Sequence, residues 1–200
     1  DRVAIVAASS KGLGRATALG LAKEGVKLTI CARDRDTLFK TADNIIAETS
    51  AEVLPIVCDV SKTDEINNVV NETIKKYDKV DILINNAGGP PTGKFLDFSL
   101  EDWQRAIELN LFSTITFSNK VIPYMKENKW GRIVNITSQV LDGLPSVTWT
   151  GYAMAKGALQ VFSNYMAAEL GPQGITVNCV SPGMCETTLI GDIPEKAQLM

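Results

Sequence analysis

The stretch VAIVAASSKGLGRA, residues 3–16, decides the fold. A short apolar run leads into small and polar residues with two glycines, Gly12 and Gly14, and then into residues that favour a helix. This order predicts a strand, a phosphate-binding turn and a helix whose N-terminus offers free N–H groups. Two glycines alone are equally typical of an ordinary strand-to-helix turn.

Ala8 stands where the first glycine of a phosphate-binding turn is expected. If the backbone is left-handed at this position, alanine costs roughly 1–2 kcal/mol there. If φ is negative, the cost is close to nothing. The sequence leaves these two cases open.

Short apolar runs rich in Val and Ile recur along the chain and alternate with helical patterns. The runs that predict strands are residues 3–8, 26–31, 53–58, 80–84, 132–137 and 175–180. The helical patterns are residues 13–24, 36–48, 63–77, one within 100–126, and 152–170. Strict alternation favours parallel strands joined by right-handed crossovers. The sequence therefore predicts one α/β domain over residues 1–200, a doubly wound, Rossmann-like sheet that binds its ligand beyond the carboxyl ends of the strands.

Composition excludes several classes of protein. With 45% hydrophobic residues, 22% charged residues and a net charge of −3, the chain has no basic excess of the kind that holds nucleic acid. Histidine is absent, which excludes an imidazole base or metal ligand, and we expect no metal site. The four cysteines lack CxxC spacing and favour a reduced, cytoplasmic protein. No apolar stretch reaches the ~20 residues that cross a bilayer, so no membrane partner is expected.

The end of the second predicted strand bears on cofactor preference. An acidic residue there would accept hydrogen bonds from the ribose of NAD, but the sequence has Ala32 and Arg33. A guanidinium suits a 2′-phosphate and Lys11 could add a second cation, so the sequence favours NADP. The alternatives are that Arg33 is a solvated loop charge and that Asp34 leaves room for NAD.

Polar residues also follow the third and fourth predicted strands. Asp59 could accept a hydrogen bond from an adenine amino group, or it could be an ordinary loop carboxylate. Asn85 and Asn86 end the fourth strand, where buried amides are costly unless they are hydrogen-bonded. We therefore expect the two amides to tie adjacent strands together.

The fifth strand end is followed by Ser138, and Tyr152 and Lys156 share one face of the next helix. An ammonium group near a phenol favours the phenolate, and moving a tyrosine pKa from ~10 towards 7 takes roughly 4 kcal/mol. We expect Lys156 to contribute to that lowering, so that Tyr152 serves as general acid and base. Taken alone, a YxxxK pattern is usually an exposed helix face.

Together, Ser138, Tyr152 and Lys156, the NNAG motif at residues 85–88 and Pro182-Gly183 resemble the short-chain dehydrogenase/reductase family from residue 3 to about residue 188. The resemblance implies hydride transfer between NADP(H) and a carbonyl or secondary alcohol. It implies that Tyr152 is the acid and base, that Lys156 holds the nicotinamide ribose, and that Ser138 binds the reacting oxygen. Asn110, in ELNLFS, matches the family asparagine that anchors a proton-relay water.

The resemblance also implies a set of cofactor contacts. The implied positions are Ser10, Lys11, Gly12 and Leu13 at the phosphates, Arg33 at the 2′-phosphate, Asp59 and Val60 at adenine, Asn86 at the adenosine ribose, Thr187 at the carboxamide, and Ala87, Gly88, Tyr152, Lys156, Pro182 and Gly183. Ala7-Ala8 departs from the usual Thr-Gly of the family. We expect the family's last strand and helix to lie beyond Met200.

The expected substrate pocket is mainly apolar. Its walls are Leu141, Leu144, Trp149, Met184 and Leu189. Similarity to the 3-oxoacyl-[acyl-carrier-protein] reductase branch favours a 3-oxoacyl thioester or similar ketone, as in fatty acid metabolism, with Lys129 and Arg132 as candidate contacts to an acidic carrier. Gln173, where that branch often has a basic residue, argues against a carrier-bound substrate.

The sequence also leaves two alternative functions open and predicts an oligomer. The chain could reduce another ketone in secondary metabolism, or it could be a non-catalytic NADP-binding regulator. The helices that end near Lys126 and Leu170 look apolar over more than one face, which predicts a homodimer or homotetramer.

Overall fold

A six-stranded sheet forms the centre of the structure, a computed structural model that describes residues 1–89, 93–143, 146–183 and 185. Its strands are β1 (Val3–Val6), β2 (Lys27–Ala32), β3 (Val53–Val57), β4 (Ile82–Asn85), β5 (Gly131–Ile136) and β6 (Ile175–Val180). Every neighbouring pair is parallel and the order is β3-β2-β1-β4-β5-β6. The predicted doubly wound, Rossmann-like sheet is confirmed.

The described part of the chain has six α-helices. They are α1 (Gly12–Lys23), α2 (Arg35–Thr49), α3 (Thr63–Tyr77), α4 (Leu100–Ile107), α5 (Ser113–Glu127) and α6 (Thr150–Leu170). Helices α1 and α2 bury Ala18 and Leu38 on one face. Helices α3, α5 and α6 bury Val69, Phe117 and Leu170 on the other. Because both faces are covered, β1 is buried at every position, which explains its continuous apolar run.

The strand order reverses at β1, which pairs with β2 on one side and β4 on the other. Beyond β1, the backbone N–H of Ala7 donates to the carbonyl of Ile84 (2.9 Å) and that of Ser9 donates to Cys31 (3.0 Å). The loop after β1 is therefore held between both neighbours. A crevice opens at such a switch point, at the carboxyl ends of the strands.

Two elements differ from the sequence prediction. Strand β1 ends at Val6 rather than at residue 8, because the chain turns through a left-handed residue at Ala8 (φ 51°). The long helix predicted within residues 100–126 is interrupted by a π-helical turn at Glu108–Phe112. In this turn the side-chain amide of Asn110 donates to the carbonyl of Ala106 (3.0 Å), so a side chain enters the helical hydrogen-bond ladder where the helix widens.

All four cysteines are free thiols; Cys31 and Cys58 are buried, and Cys179 and Cys185 are half-buried. A neighbouring thiol, Cys31, and burial raise the pKa of Cys58 above its ordinary value, so this thiol stays protonated. Within the ranges given above, no helix is long and apolar enough to cross a membrane.

Candidate active site

A cleft of about 670 Å³ opens at the carboxyl ends of the strands. Five segments line it: the turn after β1 (Ala8, Ser10 and Lys11), the ends of β2 (32–34), β3 (58–60) and β4 (87–89), and the α4 side (Arg105 and Leu109). Among the sequence-predicted cofactor residues, the cleft brings together Ser10, Lys11, Arg33, Asp59, Val60, Ala87 and Gly88. Gly12 and Leu13 lie in the first turn of α1.

The turn between β1 and α1 brings the backbone close to the sheet. Gly12 has φ 54°, in the left-handed region. A Cβ on Gly14 would lie 2.6 Å from the carbonyl oxygen of Ala8 and 2.6 Å from Nδ2 of Asn86, so only glycine fits there. Lys11, at the N-cap of α1, makes no side-chain cap, which leaves the first-turn N–H groups available to an anion.

Ala8 adopts the left-handed conformation with φ 51°, which answers the question that the sequence left open. Its carbonyl accepts a hydrogen bond from Nδ2 of Asn86 (3.0 Å), so the turn is tied to the end of β4. The cost of alanine in this conformation, roughly 1–2 kcal/mol, is present in the folded turn itself. We therefore assign this cost to folding rather than to cofactor binding.

Ala8→Gly is expected to raise the free energy of unfolding by up to about 1 kcal/mol, since relief of the left-handed strain is partly offset by the greater freedom of unfolded glycine. The dissociation constant for NADPH should change less than about twofold. Urea unfolding and fluorescence titration measure the two quantities. Ala7→Gly is the matched control, because Ala7 is buried without positive φ and glycine there should only destabilise. Equal destabilisation by both variants would contradict the strain at Ala8.

The end of β2 supplies a cation next to a carboxylate that is already engaged. Arg33 is exposed and lines the cleft with Lys11. Asp34 is the N-cap of α2, and its Oδ1 accepts a hydrogen bond from the backbone N–H of Thr37 (2.9 Å). Hydrogen bonding from Thr37 lowers the pKa of Asp34, so the group is a carboxylate that caps a helix. Both side chains line the cleft, but one oxygen of Asp34 already caps α2.

Asp59 is a loop carboxylate that also lies in the cleft. Its Oδ1 accepts hydrogen bonds from the backbone N–H (3.0 Å) and hydroxyl (2.8 Å) of Ser61, as a loop carboxylate does. It also lines the cleft. Burial raises the pKa of Asp59, but the Ser61 hydrogen bonds and nearby Arg33 outweigh burial and hold it below the ordinary value. Glu65, which the sequence reading missed, accepts a hydrogen bond from the Asp59 N–H (2.7 Å).

A buried amide, Asn85, ties the adjacent strands β4 and β5 together, as predicted, and the hydrogen bonds continue to α6. Asn85 Nδ2 donates to Asn135 Oδ1 (2.8 Å), and Asn135 Nδ2 donates to the Ser163 hydroxyl (2.8 Å). This chain of hydrogen bonds joins β4, β5 and α6. It holds the base of the site rigid beneath the residues that follow β4 and β5.

Lys156 is the best-anchored side chain of the site. It is 2% exposed, and its Nζ donates to the carbonyls of Ala87 (3.0 Å) and Ile136 (2.7 Å), at the ends of β4 and β5. A Cβ on Gly88 would lie 3.5 Å from this Nζ and 3.2 Å from Oδ1 of Asn110. The NNAG motif thus supplies both an anchoring carbonyl and the space that Lys156 and Asn110 occupy.

Asn110 is fully buried in the π-helical turn. Its Nδ2 is used by the Ala106 carbonyl, and its Oδ1 has no hydrogen-bond partner among the described residues. A buried acceptor without a partner is costly and usually indicates a water or ligand site. The structure therefore brings Asn110 next to Gly88 and Lys156 with one acceptor available.

Tyr152 lies beside Lys156, with Lys156 Nζ 5.7 Å from the centre of its ring. Burial raises the pKa of Tyr152, and the nearby Ser138 hydroxyl only partly opposes that rise. This differs from the expectation that Lys156 lowers the pKa of Tyr152. The reason is burial: it raises the pKa of the phenol and lowers that of the ammonium, so Lys156 has lost its positive charge at the pH where Tyr152 ionises.

Burial lowers the pKa of Lys156 to about 8. Because the unfolded chain keeps its proton to a higher pH, the folded protein should gain stability as pH rises above 8, at about 1.4 kcal/mol per unit. Lys156→Met removes this group, so wild-type stability relative to the variant should rise by about 2 kcal/mol between pH 7 and 9.5. Urea unfolding at the two pH values tests it, with exposed Lys120→Met as control. A pH-independent difference would contradict the buried ammonium.

The remaining predicted residues divide into two groups. Leu141 packs near Gly157 of α6, and the Trp149 ring meets the Tyr152 ring edge-on at 6.4 Å. The carbonyl of Pro182 accepts a hydrogen bond from the Gln139 N–H (3.0 Å), which brings Pro182-Gly183 beside the loop after Ser138. Four predicted residues lie outside the described part of the chain: Leu144, Met184, Thr187 and Leu189.

Sequence reasoning missed Arg105 and Leu109 as cleft residues. The two lie four residues apart on one helical face, immediately before Asn110. Their position just before Asn110 in the same helical pattern could have placed them near the site. The π-helical turn that follows could not be predicted from that pattern.

Comparisons with known proteins agree with this site. A family model described as short chain dehydrogenase matches residues 2–198. The (2S)-[(R)-hydroxy(phenyl)methyl]succinyl-CoA dehydrogenase subunit BbsD of Thauera aromatica is 37% identical over 198 residues, covering 99% of this chain and 79% of that protein. A 3-oxoacyl-[acyl-carrier-protein] reductase of Synechocystis sp. is 36% identical over 191 residues, covering 94% and 76%.

A solved structure gives the same result. L-Sorbose reductase from Gluconobacter frateurii, complexed with NADPH and L-sorbose, matches with a TM-score of 0.89 and 31% identity over 93% of this chain and 70% of that chain. The match spans nearly the whole of this chain. Together with the family model and the two relatives, it establishes that this chain belongs to the short-chain dehydrogenase family.

Proposed function

We propose that the protein is an NADP(H)-dependent oxidoreductase that interconverts a carbonyl compound and a secondary alcohol. One observation carries this proposal: a buried lysine with a neighbouring tyrosine and a buried asparagine lie beside Gly88, which lines the cleft together with the turn between β1 and α1. The three residues are Lys156, Tyr152 and Asn110, and Ser138 adds a hydroxyl that acts on the same phenol.

The residues of the cleft fit a dinucleotide. The uncapped first turn of α1 offers N–H groups to a pyrophosphate, and Gly14 keeps that turn close to the sheet. Lys11 and Arg33 add positive charge at the ends of β1 and β2. When bound, NADPH would supply the hydride that the protein side chains cannot.

A phosphorylated ribose suits this cleft better than a free one. Arg33 offers a guanidinium beside the N-terminus of α2, and that geometry suits a 2′-phosphate. Asp34, the only carboxylate at this strand end, caps α2. The L-sorbose reductase that matches this fold is complexed with NADPH, which supports the same preference.

Four side chains of the site have separate roles in the proposed carbonyl reduction. Because burial raises the pKa of Tyr152, the phenol carries its proton at neutral pH and can donate it to the reacting oxygen. Ser138 can donate a hydrogen bond to the same oxygen and orient it. Lys156, fixed by two carbonyls, keeps a positive charge near the phenolate that forms. Asn110 offers its free acceptor to a water that returns a proton.

We propose a 3-oxoacyl thioester or a similar apolar ketone as the substrate. Leu141 and Trp149 give apolar walls near Tyr152. The two curated relatives are named for a succinyl-CoA and for a 3-oxoacyl-[acyl-carrier-protein], both of which are acyl thioesters. Another ketone is the alternative, since the matched L-sorbose reductase is complexed with a sugar.

The two basic residues expected to meet a carrier protein lie far from the reacting groups of their own chain. Lys129 and Arg132 are at the amino end of β5, whereas Lys156 bonds to its carboxyl end, and a six-residue strand spans roughly 20 Å. The Arg132 guanidinium is also engaged, since it donates to the Gly131 carbonyl (2.8 Å) and lies over the Trp130 ring. We therefore propose the thioester without a carrier-docking role for this pair.

A second copy of the chain is the proposed partner. Phe112, Val161 and Tyr165 are more than half exposed on the helices that flank the site, which leaves an apolar face uncovered. We propose a homodimer or homotetramer formed through this face. Light scattering during gel filtration measures the mass directly.

A substrate panel tests the proposed reaction. NADPH oxidation is followed with 3-oxoacyl thioesters, simple ketones and sugars, and each is repeated with NADH. The proposal expects turnover with NADPH and a clear preference for apolar 3-oxo compounds. Turnover only with NADH would overturn the cofactor assignment, and tight NADPH binding without turnover of any compound would favour a non-catalytic regulator.

A further inference from the structure

Arg105 lines the cleft but belongs to no motif that the reaction uses. It is exposed on α4, one helical turn before Leu109, which lines the same cleft. Asn110 follows Leu109 directly and reaches the catalytic group. One continuous helical segment therefore contributes both to the cleft wall and to the reaction centre.

The charge of Arg105 is available to a ligand. In the described part of the chain no salt bridge includes Arg105. Asp102 is the acidic neighbour close enough to feel this charge, yet its Oδ2 already accepts hydrogen bonds from the backbone N–H (3.0 Å) and hydroxyl (2.9 Å) of Ser99 in a capping box. A guanidinium thus faces the cleft while the neighbouring Asp102 carboxylate serves the helix N-terminus.

Arg105 stands on a different wall from the cations proposed for the phosphates. Lys11 and Arg33 precede α1 and α2, which pack on one face of the sheet. Val60 and Ala87 belong to the core beneath α3 and α5, on the opposite face, and Leu109 packs against that core. The wall that carries Arg105 is therefore largely apolar, with Asp59 as its hydrogen-bond acceptor.

We propose that Arg105 closes over the adenine ring of the bound cofactor, with Val60 and Leu109 packing around the base and Asp59 accepting from its amino group. This rests on the proposed nucleotide-binding function. A planar guanidinium stacks well on an aromatic base, and an apolar wall strengthens that attraction by excluding water. Because adenine is common to NADPH and NADH, Arg105 contributes to the affinity for both and does not select between them.

The test measures dissociation constants rather than turnover. Arg105→Ala is titrated with NADPH, NADH, adenosine 2′,5′-bisphosphate and reduced nicotinamide mononucleotide, which lacks adenosine. We expect binding to weaken by about 5- to 30-fold for the first three ligands and to stay unchanged for the fourth. The loss should persist when salt is raised from about 0.1 M to about 0.5 M, since stacking is screened less than an exposed ion pair.

Two control variants separate the contact from a general disturbance. Gln104→Ala changes the exposed neighbour of Arg105 on the same helix, and Lys120→Ala removes one exposed positive charge from α5. Both should bind all four ligands like the wild type, and all variants should show wild-type circular dichroism and melting.

Three results would overturn the proposal. They are unchanged binding of adenosine 2′,5′-bisphosphate, an equal loss for the mononucleotide, or full rescue by Arg105→Lys together with disappearance of the loss at high salt, which would indicate a phosphate contact. If the wild type binds NADH and not NADPH, the NADP assignment fails, yet the adenine contact is still decided by the NADH titration. If it binds neither nucleotide, both proposals are wrong.

Discussion

Replacing Tyr152 with phenylalanine is expected to lower kcat for NADPH-dependent ketone reduction by about 100-fold or more, because the variant loses its proton donor. The phenylalanine keeps the ring that meets Trp149 edge-on, so folding should be preserved. The dissociation constant for NADPH should change less than about threefold, since only one hydroxyl is lost. Steady-state kinetics and a fluorescence titration measure the two effects separately.

Tyr165→Phe is the matched control, because Tyr165 lies on the same helix and is 75% exposed. This variant should keep wild-type kcat. Substantial ketone reduction by Tyr152→Phe would mean that another group, or water, supplies the proton. An equal fall in both variants would mean that the helix rather than the phenol at position 152 is affected.

Replacing Arg33 with aspartate is expected to weaken NADPH binding by about 100- to 1000-fold. The variant loses a charge-assisted hydrogen bond to the 2′-phosphate, and it adds a carboxylate that repels it. NADH binding should hold or improve, since a carboxylate at the end of β2 can accept hydrogen bonds from a free ribose. The ratio of the two dissociation constants is the decisive quantity.

Arg35→Asp is the control for that experiment. Arg35 is two residues away, in the first turn of α2, and its guanidinium lies 4.6 Å from the centre of the Phe39 ring. The same charge reversal there should change the NADPH to NADH ratio far less. A ratio unchanged in Arg33→Asp would show that Arg33 is a solvated loop charge and that the preference comes from elsewhere.

The sheet could be predicted because strands that are buried on both faces have continuous apolar sequences. Strands such as β1 and β2 are buried at nearly every position, so they are written as continuous apolar runs. Alternation with helices then leaves few topologies, and the observed order places the cleft at the predicted strand ends.

The left-handed turn at Ala8 and the π-helical turn could not be predicted from the sequence. Alanine adopts either sign of φ at a cost of only roughly 1–2 kcal/mol, so its identity at position 8 could not reveal the left-handed turn. A π-helical turn has nearly the same apolar pattern as an α-helix. The π-helical turn at Glu108–Phe112 is seen only in the structure, where the Asn110 side chain also donates to the Ala106 carbonyl.

The pKa of a side chain depends on its burial as well as on the distance to a charged neighbour. The i, i+4 spacing correctly predicted that Tyr152 and Lys156 are neighbours. It could not show that Lys156 Nζ turns to the carbonyls of Ala87 and Ile136. Nor could it show that burial dominates here, where it raises the pKa of Tyr152 and lowers that of Lys156 to about 8.

Transfer of a labelled hydride tests directly whether the protein reduces a 3-oxoacyl thioester with NADPH. The protein is incubated with a 3-oxoacyl thioester and NADPH that carries deuterium at the reactive carbon of its nicotinamide, and the product is analysed by mass spectrometry. We expect the wild type to form a 3-hydroxyacyl thioester with one deuterium on the carbinol carbon. Tyr152→Phe should form the same product at least about 100-fold more slowly. Labelled product formed equally fast by both proteins, or none formed by a wild type that binds NADPH, would contradict this expectation.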